Sequence, residues 1–195
     1  MAAPVLGSGS ENTVAFVDVK GHWAEKEILK LAQTGIIKGM NENEFEPESN
    51  ISRSAVAAMI SRIISDGKSY TAADKYSDVS KSDWYYSDVS NVTANGVMGG
   101  DGENFYPENM ITREEMAKVL YELCRICGVS ARGGEYQKFA DDEFISEWAK
   151  DAVYSLRQNE LISGFDNSFR PKDNLTRAEA AILLYRLQAM RGKIS

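Results

Sequence analysis

Three arginines recur at one spacing: Arg53, Arg113 and Arg177 each stand six residues beyond a proline, Pro47, Pro107 and Pro171, and each follows a Ser or Thr. A Ser or Thr in that place caps a helix, so the guanidinium sits in the first turn against the positive end of the helix dipole. That placement is unfavourable by about 0.3–1 kcal/mol when exposed. Three such placements ask for a compensating partner. One answer is a carboxylate ligand, which guanidinium binds through two parallel hydrogen bonds and which the free N–H groups of a helix N-terminus also attract. The other is an internal ion pair with Asp18, Asp78 or Asp141, one of which accompanies each arginine. Trp23, Trp84 and Trp148 offer faces on which a sugar ring could stack, although a Trp opening an amphipathic helix is more often core. Gly39, Gly100 and Gly164 allow a close approach of ligand to backbone, or end a helix with positive φ, two compatible roles.

These residues belong to a single pattern repeated three times. It starts with an aromatic, one residue and Asp (Phe16 and Asp18, Tyr76 and Asp78, Phe139 and Asp141), continues to the Trp, reaches the Gly sixteen residues later, and then runs through Phe-x-Pro to the Arg. After each Trp, apolar or small residues fall on one helical face: Ala24, Ile28, Leu31 and Ala32, then Tyr85, Val89, Val92 and Thr93, then Ala149, Val153 and Leu156 with Arg157 last. A second stripe follows each Arg: Val56, Met59, Ile60 and Ile63, then Met116, Val119, Leu120 and Leu123, then Ala180, Leu183, Leu184 and Leu187. Glu115 and Glu179 complete capping boxes where the first copy has Ala55, and Gly67, Gly128 and Gly192 stand where a left-handed helix end is expected. The pattern predicts an all-α chain of three tandem helix–loop–helix repeats over residues 14–67, 74–128 and 137–195, after a linker or tag remnant at 1–13. So short a unit buries too little apolar surface to stand alone, so the three should share one core, joined by the linkers GKSYTAADK and GVSARGGEYQK.

Composition narrows the chemistry. With 29 acidic against 22 basic side chains in 195 residues the net charge is −7, which repels nucleic acid. No apolar run approaches the roughly 18 residues of a membrane-spanning helix, so no membrane insertion is expected. His22 is the single histidine and leaves no obvious general base for a nucleophile, and the many acidic residues read as solvated rather than as a glycosidase pair, so no enzyme is expected. Cys124 and Cys127 lack a second ligand pair for zinc and fall on a helix, where Cys124 continues the packed face. The polar loops NENEF, DGENF and FDNSF lack the ligand spacing of a calcium loop. No metal and no cofactor is expected.

The segments FVDVKGHWA, GIIKG, FEP and ISRSA, then YSDVSKSDW, GVMGG, FYP and ITREE, then FADDEFISEWA, LISG, FRP and LTRAE resemble three consecutive S-layer homology modules, from Phe16 to the C-terminus. The resemblance implies a monomeric pseudo-trimer, a pseudo-threefold helical body at the bacterial cell surface. It implies noncovalent anchoring to the cell wall, with secondary cell-wall polysaccharide, often carrying a pyruvate ketal, held in grooves between modules. It places ligand contact on Arg53, Arg113 and Arg177, with the aspartates, tryptophans and glycines named above beside them. The first copy lacks the Glu of the usual motif, and Glu160 replaces Gly35 and Gly96 of the other copies, where its charge could weaken one groove. The alternative is a helical-repeat module that docks another protein.

Overall fold

The computed structural model describes residues 15–129 and 136–194. Residues 1–13, expected from the sequence to be a linker or tag remnant, and residues 130–135, expected to belong to the second linker, lie outside them. Among the described residues there are six α-helices, two per repeat: α1 (Glu25–Gln33) and α2 (Arg53–Ile64), α3 (Tyr86–Ala94) and α4 (Arg113–Ile126), α5 (Glu147–Gln158) and α6 (Arg177–Met190). Short 3₁₀ turns at Val17–Val19, Ala72–Lys75 and Asp142–Phe144 precede the first helix of each pair. The turn Ala72–Lys75 falls in the first linker and packs on α3 with Ala73 fully buried, so this linker joins the core.

The helices pair across repeats. The second helix of one repeat lies against the first helix of the next, α2 on α3 and α4 on α5, and α6 returns to α1 to close the set. At the centre, three short segments meet. Ile51 N–H donates to Leu175 C=O, Leu175 N–H to Ile111 C=O, and Ile111 N–H to Ile51 C=O, each at 3.0 Å. This closed triangle of hydrogen bonds, formed by three residues at equivalent positions and all buried, is the pseudo-threefold centre of the body.

Both apolar stripes are buried as their periodicity requires, except that Thr93, Ile63 and Leu183 are half-buried, and the Phe of each Phe-x-Pro, Phe45, Phe105 and Phe169, is among the most buried side chains. Each packs on the aromatic that opens its repeat, at ring-centroid distances of 5.6, 5.5 and 5.4 Å. Where the first helix of repeat three needs an apolar residue, Arg157 instead lays its guanidinium 3.8 Å from the Phe139 ring centroid. Cys124 is buried, and burial pushes its thiol up to about 12, as an inert packing residue requires.

The helix ends sort the glycines differently from their spacing alone. Gly128 and Gly192 hold positive φ just past α4 and α6, and Val129 N–H and Lys193 N–H reach back to Cys124 and Gln188 carbonyls. Gly67 also has positive φ but stands beyond the actual end of α2, whose cap is Ser65. The first helices end on Gly35, Gly96 and Glu160, at φ of 75°, 68° and 59°. A left-handed conformation costs a side-chain-bearing residue about 1–2 kcal/mol, and the chain entropy Gly adds to the unfolded state returns part of that. Glu160→Gly is therefore expected to stabilise the protein by about 0.5–1 kcal/mol in a urea titration.

Candidate functional site

Each arginine is built into the junction with the following repeat. Arg53 donates from Nε to Phe105 C=O at 3.0 Å and from Nη2 to Gly99 C=O at 2.6 Å. Arg113 does the same to Phe169 C=O at 2.7 Å and Ser163 C=O at 3.4 Å, and Arg177 to Phe45 C=O at 2.7 Å and Lys38 C=O at 3.1 Å. All three guanidiniums also lie over the ring of the Phe that supplies the carbonyl, 5.1, 5.3 and 4.6 Å from its centroid. The compensation that the helix dipole calls for thus comes from backbone carbonyls of the neighbouring loop.

The capping-box glutamates add to it. Glu115 accepts the Thr112 N–H through Oε2 and places Oε1 3.7 Å from Arg53 Nη1, and Glu179 accepts the Thr176 N–H and places Oε1 3.2 Å from Arg113 Nη1. One carboxylate therefore caps its own helix and pairs with the preceding repeat's arginine. Ala55 removes both interactions, so Arg177 has no ion pair among the described residues. Burial lowers the pKa of Arg177, opposed by the charges of Glu46 and Asp18, and that of Arg53, opposed chiefly by Glu115.

Among the described residues the N-termini of α2, α4 and α6 hold no free N–H groups for an anion, contrary to the expectation from the sequence. The N–H groups of Arg53, Arg113 and Arg177 donate to Asn109, Asp173 and Ser49 carbonyls, each at 2.9 Å. Those of Ser54, Glu114 and Ala178 donate to Pro107, Pro171 and Pro47 carbonyls, and the next N–H in each helix goes to the capping hydroxyl. Glu114, buried, further ties α4 to repeat three by accepting from the Ser146 N–H and hydroxyl and from Lys172.

The aspartates hold the loop that the arginines grip. Asp18 accepts from Phe45 N–H at 3.0 Å and Glu46 N–H at 2.7 Å, Asp78 from Phe105 and Tyr106, and Asp141 from Phe169 and Arg170. These bonds fix the middle residue of Phe-x-Pro at positive φ, 58°, 60° and 56° for Glu46, Tyr106 and Arg170. Partial desolvation opposes ionisation of Asp18, but the two N–H donors outweigh it and hold the carboxyl below the usual carboxylate range. No hydrogen bond joins these aspartates to the arginines among the described residues.

Gly39, Gly100 and Gly164 do not have positive φ and do not end the helices. Their role is close approach, to the protein's own loop. A Cβ on Gly100 would stand 1.7 Å from Asn104 O, one on Gly39 2.4 Å from Asn41 O, and one on Gly164 2.6 Å from Ser168 O. His22 is spent locally, with Nε2 2.6 Å from Glu48 and Nδ1 accepting the Ala24 N–H.

The tryptophans are exposed, at 62% for Trp23, 65% for Trp84 and 53% for Trp148, so the core reading of them is corrected. The buried stripe begins one residue later, at Ala24, Tyr85 and Ala149, which turns each Trp outward. Two of them line grooves assembled from all three repeats. A groove of about 420 Å³ combines Arg53 of the first repeat, the Gly100 loop of the second and Trp148 of the third. Another, of about 380 Å³, combines Arg113 of the second, the Gly164 loop of the third and Trp23 of the first. An exposed aromatic face opposite a guanidinium is equipped to hold a sugar ring bearing negative charge.

The chain matches the S-layer homology domain three times, at residues 15–57, 75–117 and 138–181. It is 36% identical over 183 residues to an amylopullulanase of Thermoanaerobacterium thermosulfurigenes, covering 92% of this chain and 10% of that protein. It is 35% identical over 181 residues to exoglucanase XynX of Acetivibrio thermocellus, covering 91% of this chain and 16% of that protein. It is 30% identical over 182 residues to the S-layer protein sap of Bacillus anthracis, covering 93% of this chain and 22% of that protein. The chain spans only these small fractions of its relatives, and it matches enzymes and an S-layer protein alike, so what they share is the module and not a reaction. Three tandem matches covering most of the described residues, on a closed three-part helical body, make this chain a member of the S-layer homology domain family of cell-surface proteins.

Proposed function

We propose that the chain anchors a surface protein noncovalently to the bacterial cell wall by holding secondary cell-wall polysaccharide, through pyruvate carboxylates, in the grooves between repeats. The observation that supports this most is the composition of those grooves, each with an arginine, a glycine-tight loop and an exposed tryptophan drawn from three different repeats. Such a site exists only in the closed body, as a module that recognises a polymer by shape and charge requires. Overall charge works against an acidic polymer, so attraction is confined to the grooves.

The test is calorimetric titration with purified wall polysaccharide, native and after removal of its pyruvate groups. Saturable binding is expected to the native polymer only, and between low and moderate salt the affinity should fall by less than about tenfold, because few charges are neutralised. Equal binding to both polymers would remove the carboxylate from the recognition.

A further inference from the structure

The loops of the three repeats differ at two positions, the residue after the loop glycine and the middle residue of Phe-x-Pro, and in repeats two and three these residues stand at the lips of the two grooves. In repeat two these are Asp101 and Tyr106, joined by a hydrogen bond of 2.5 Å from the Tyr106 hydroxyl to Asp101. In repeat one they are Met40 and Glu46. In repeat three they are Phe165 and Arg170, with the guanidinium 5.0 Å from the ring centroid.

Backbone geometry, not packing, displays the pair in repeat three. Phe165 and Ser168 exchange two backbone hydrogen bonds of 2.9 Å around Asp166 and Asn167, both at positive φ, which leaves Phe165 63% exposed. Arg170 is pinned by its N–H to Asp141 at 2.7 Å. Its side chain has no hydrogen bond or ion pair among the described residues, and a guanidinium stacked on a ring keeps its N–H edge available. Arg113, deeper in the same groove, is by contrast committed to Phe169, Ser163 and Glu179.

The lip of the groove around Arg53 carries negative charge. The Tyr106 hydroxyl, with the Asn104 and Glu103 N–H groups, holds Asp101 ionised below the usual carboxylate range. Glu46 stands close enough to Arg177 for their charges to interact. The groove that combines Arg113, Phe165, Arg170 and Trp23 is thus the one whose lip is both aromatic and cationic.

We infer that Phe165 and Arg170 make the groove between the second and third repeats the one that takes a carboxylated sugar, Phe165 stacking on the sugar and Arg170 pairing with its carboxylate. The groove around Arg53 repels that charge at Asp101. This selection rests on the anchoring reading above.

The probe is a synthetic hexose methyl glycoside carrying a pyruvate ketal, with its methyl ester as the uncharged control, titrated calorimetrically beside the purified polysaccharide. Arg170→Gln and Phe165→Ala are each expected to weaken binding of the acid by about 10–100-fold, the loss of one charge-assisted contact or one stacking face. Melting temperatures should not change, because both side chains are exposed, and the ester should bind the wild type as weakly as the acid binds Arg170→Gln. Wild-type affinity for acid and polysaccharide in both variants overturns the assignment of this groove and leaves anchoring intact. A wild-type protein that binds neither probe nor polysaccharide overturns the anchoring reading, and this inference with it.

Discussion

A chain ended after Val129 is expected to lose the folded state altogether, not to retain a two-repeat stack. Removing the third repeat takes away α5 and α6, against which α4 and α1 pack. The apolar faces so uncovered include Ile28, Leu31, Leu120 and Leu123, all at 0% exposure in the complete protein. Burial of one such side chain is worth about 1.5–3 kcal/mol, so several together match a whole domain's margin of about 5–15 kcal/mol. The central triangle would lose two of its three hydrogen bonds, and Arg113, with the first two N–H groups of α4, would lose every acceptor on repeat three. An open solenoid behaves differently, because its repeats stack only on their neighbours and a shortened array stays folded. Urea unfolding followed by circular dichroism distinguishes the two. The closed body predicts no cooperative transition in the truncated chain. A sharp transition, with a denaturant slope reduced in proportion to length, would mean that the repeats fold as an open stack.

What the sequence made legible was local or repeated. Identical intervals between Pro and Arg located the repeats, the 3.6-residue periodicity of Ala24–Ile28–Leu31 and of Met116–Leu120–Leu123 located the helices, and Thr112 with Glu115 located a cap that the structure contains as drawn. The partners of the arginines were not legible. Their acceptors are backbone carbonyls, which every residue carries, so Phe105 C=O or Lys38 C=O leaves no mark in the residue pattern. Nor was the direction of the tryptophans. A helical stripe wide enough to bury Ala24 and Ile28 leaves the preceding residue at its edge, and only the closed ring shows that Trp23 faces outward over the Gly164 loop.

The signals that distinguish one junction from another lie in the differences among the copies. Ala55 against Glu115 and Glu179 marks the junction whose arginine has no ion pair among the described residues, and Asp101 against Phe165, with Tyr106 against Arg170, distinguishes the lips of the two grooves. Repetition identifies a family, whereas the positions that break the repetition distinguish one groove from another. Glu160 forms the left-handed end of α5, and it is not among the residues lining the groove around Arg113.

Arg177→Ala is expected to destabilise the protein by about 2–4 kcal/mol, because the side chain is a clamp before it can be a ligand contact. Arg177 is 5% exposed and donates to Phe45 and Lys38 carbonyls across the only junction that no peptide bond spans, between the third repeat and the first. Truncation leaves both acceptors without that donor in a partly buried site and removes the cation from the face of Phe45. Relief of the helix dipole offsets about 0.3–1 kcal/mol of the loss at most. Arg177→Lys should recover little, since an ammonium cannot span two carbonyls as the planar fork does. Arg113→Ala should cost less: its side chain is 20% exposed, and the Glu179 it abandons is 36% exposed and keeps its capping bond to Thr176. Melting curves of the three variants test the order. Unchanged stability in Arg177→Ala would mean that the guanidinium is held ready for a ligand alone, and that the ring closes without it.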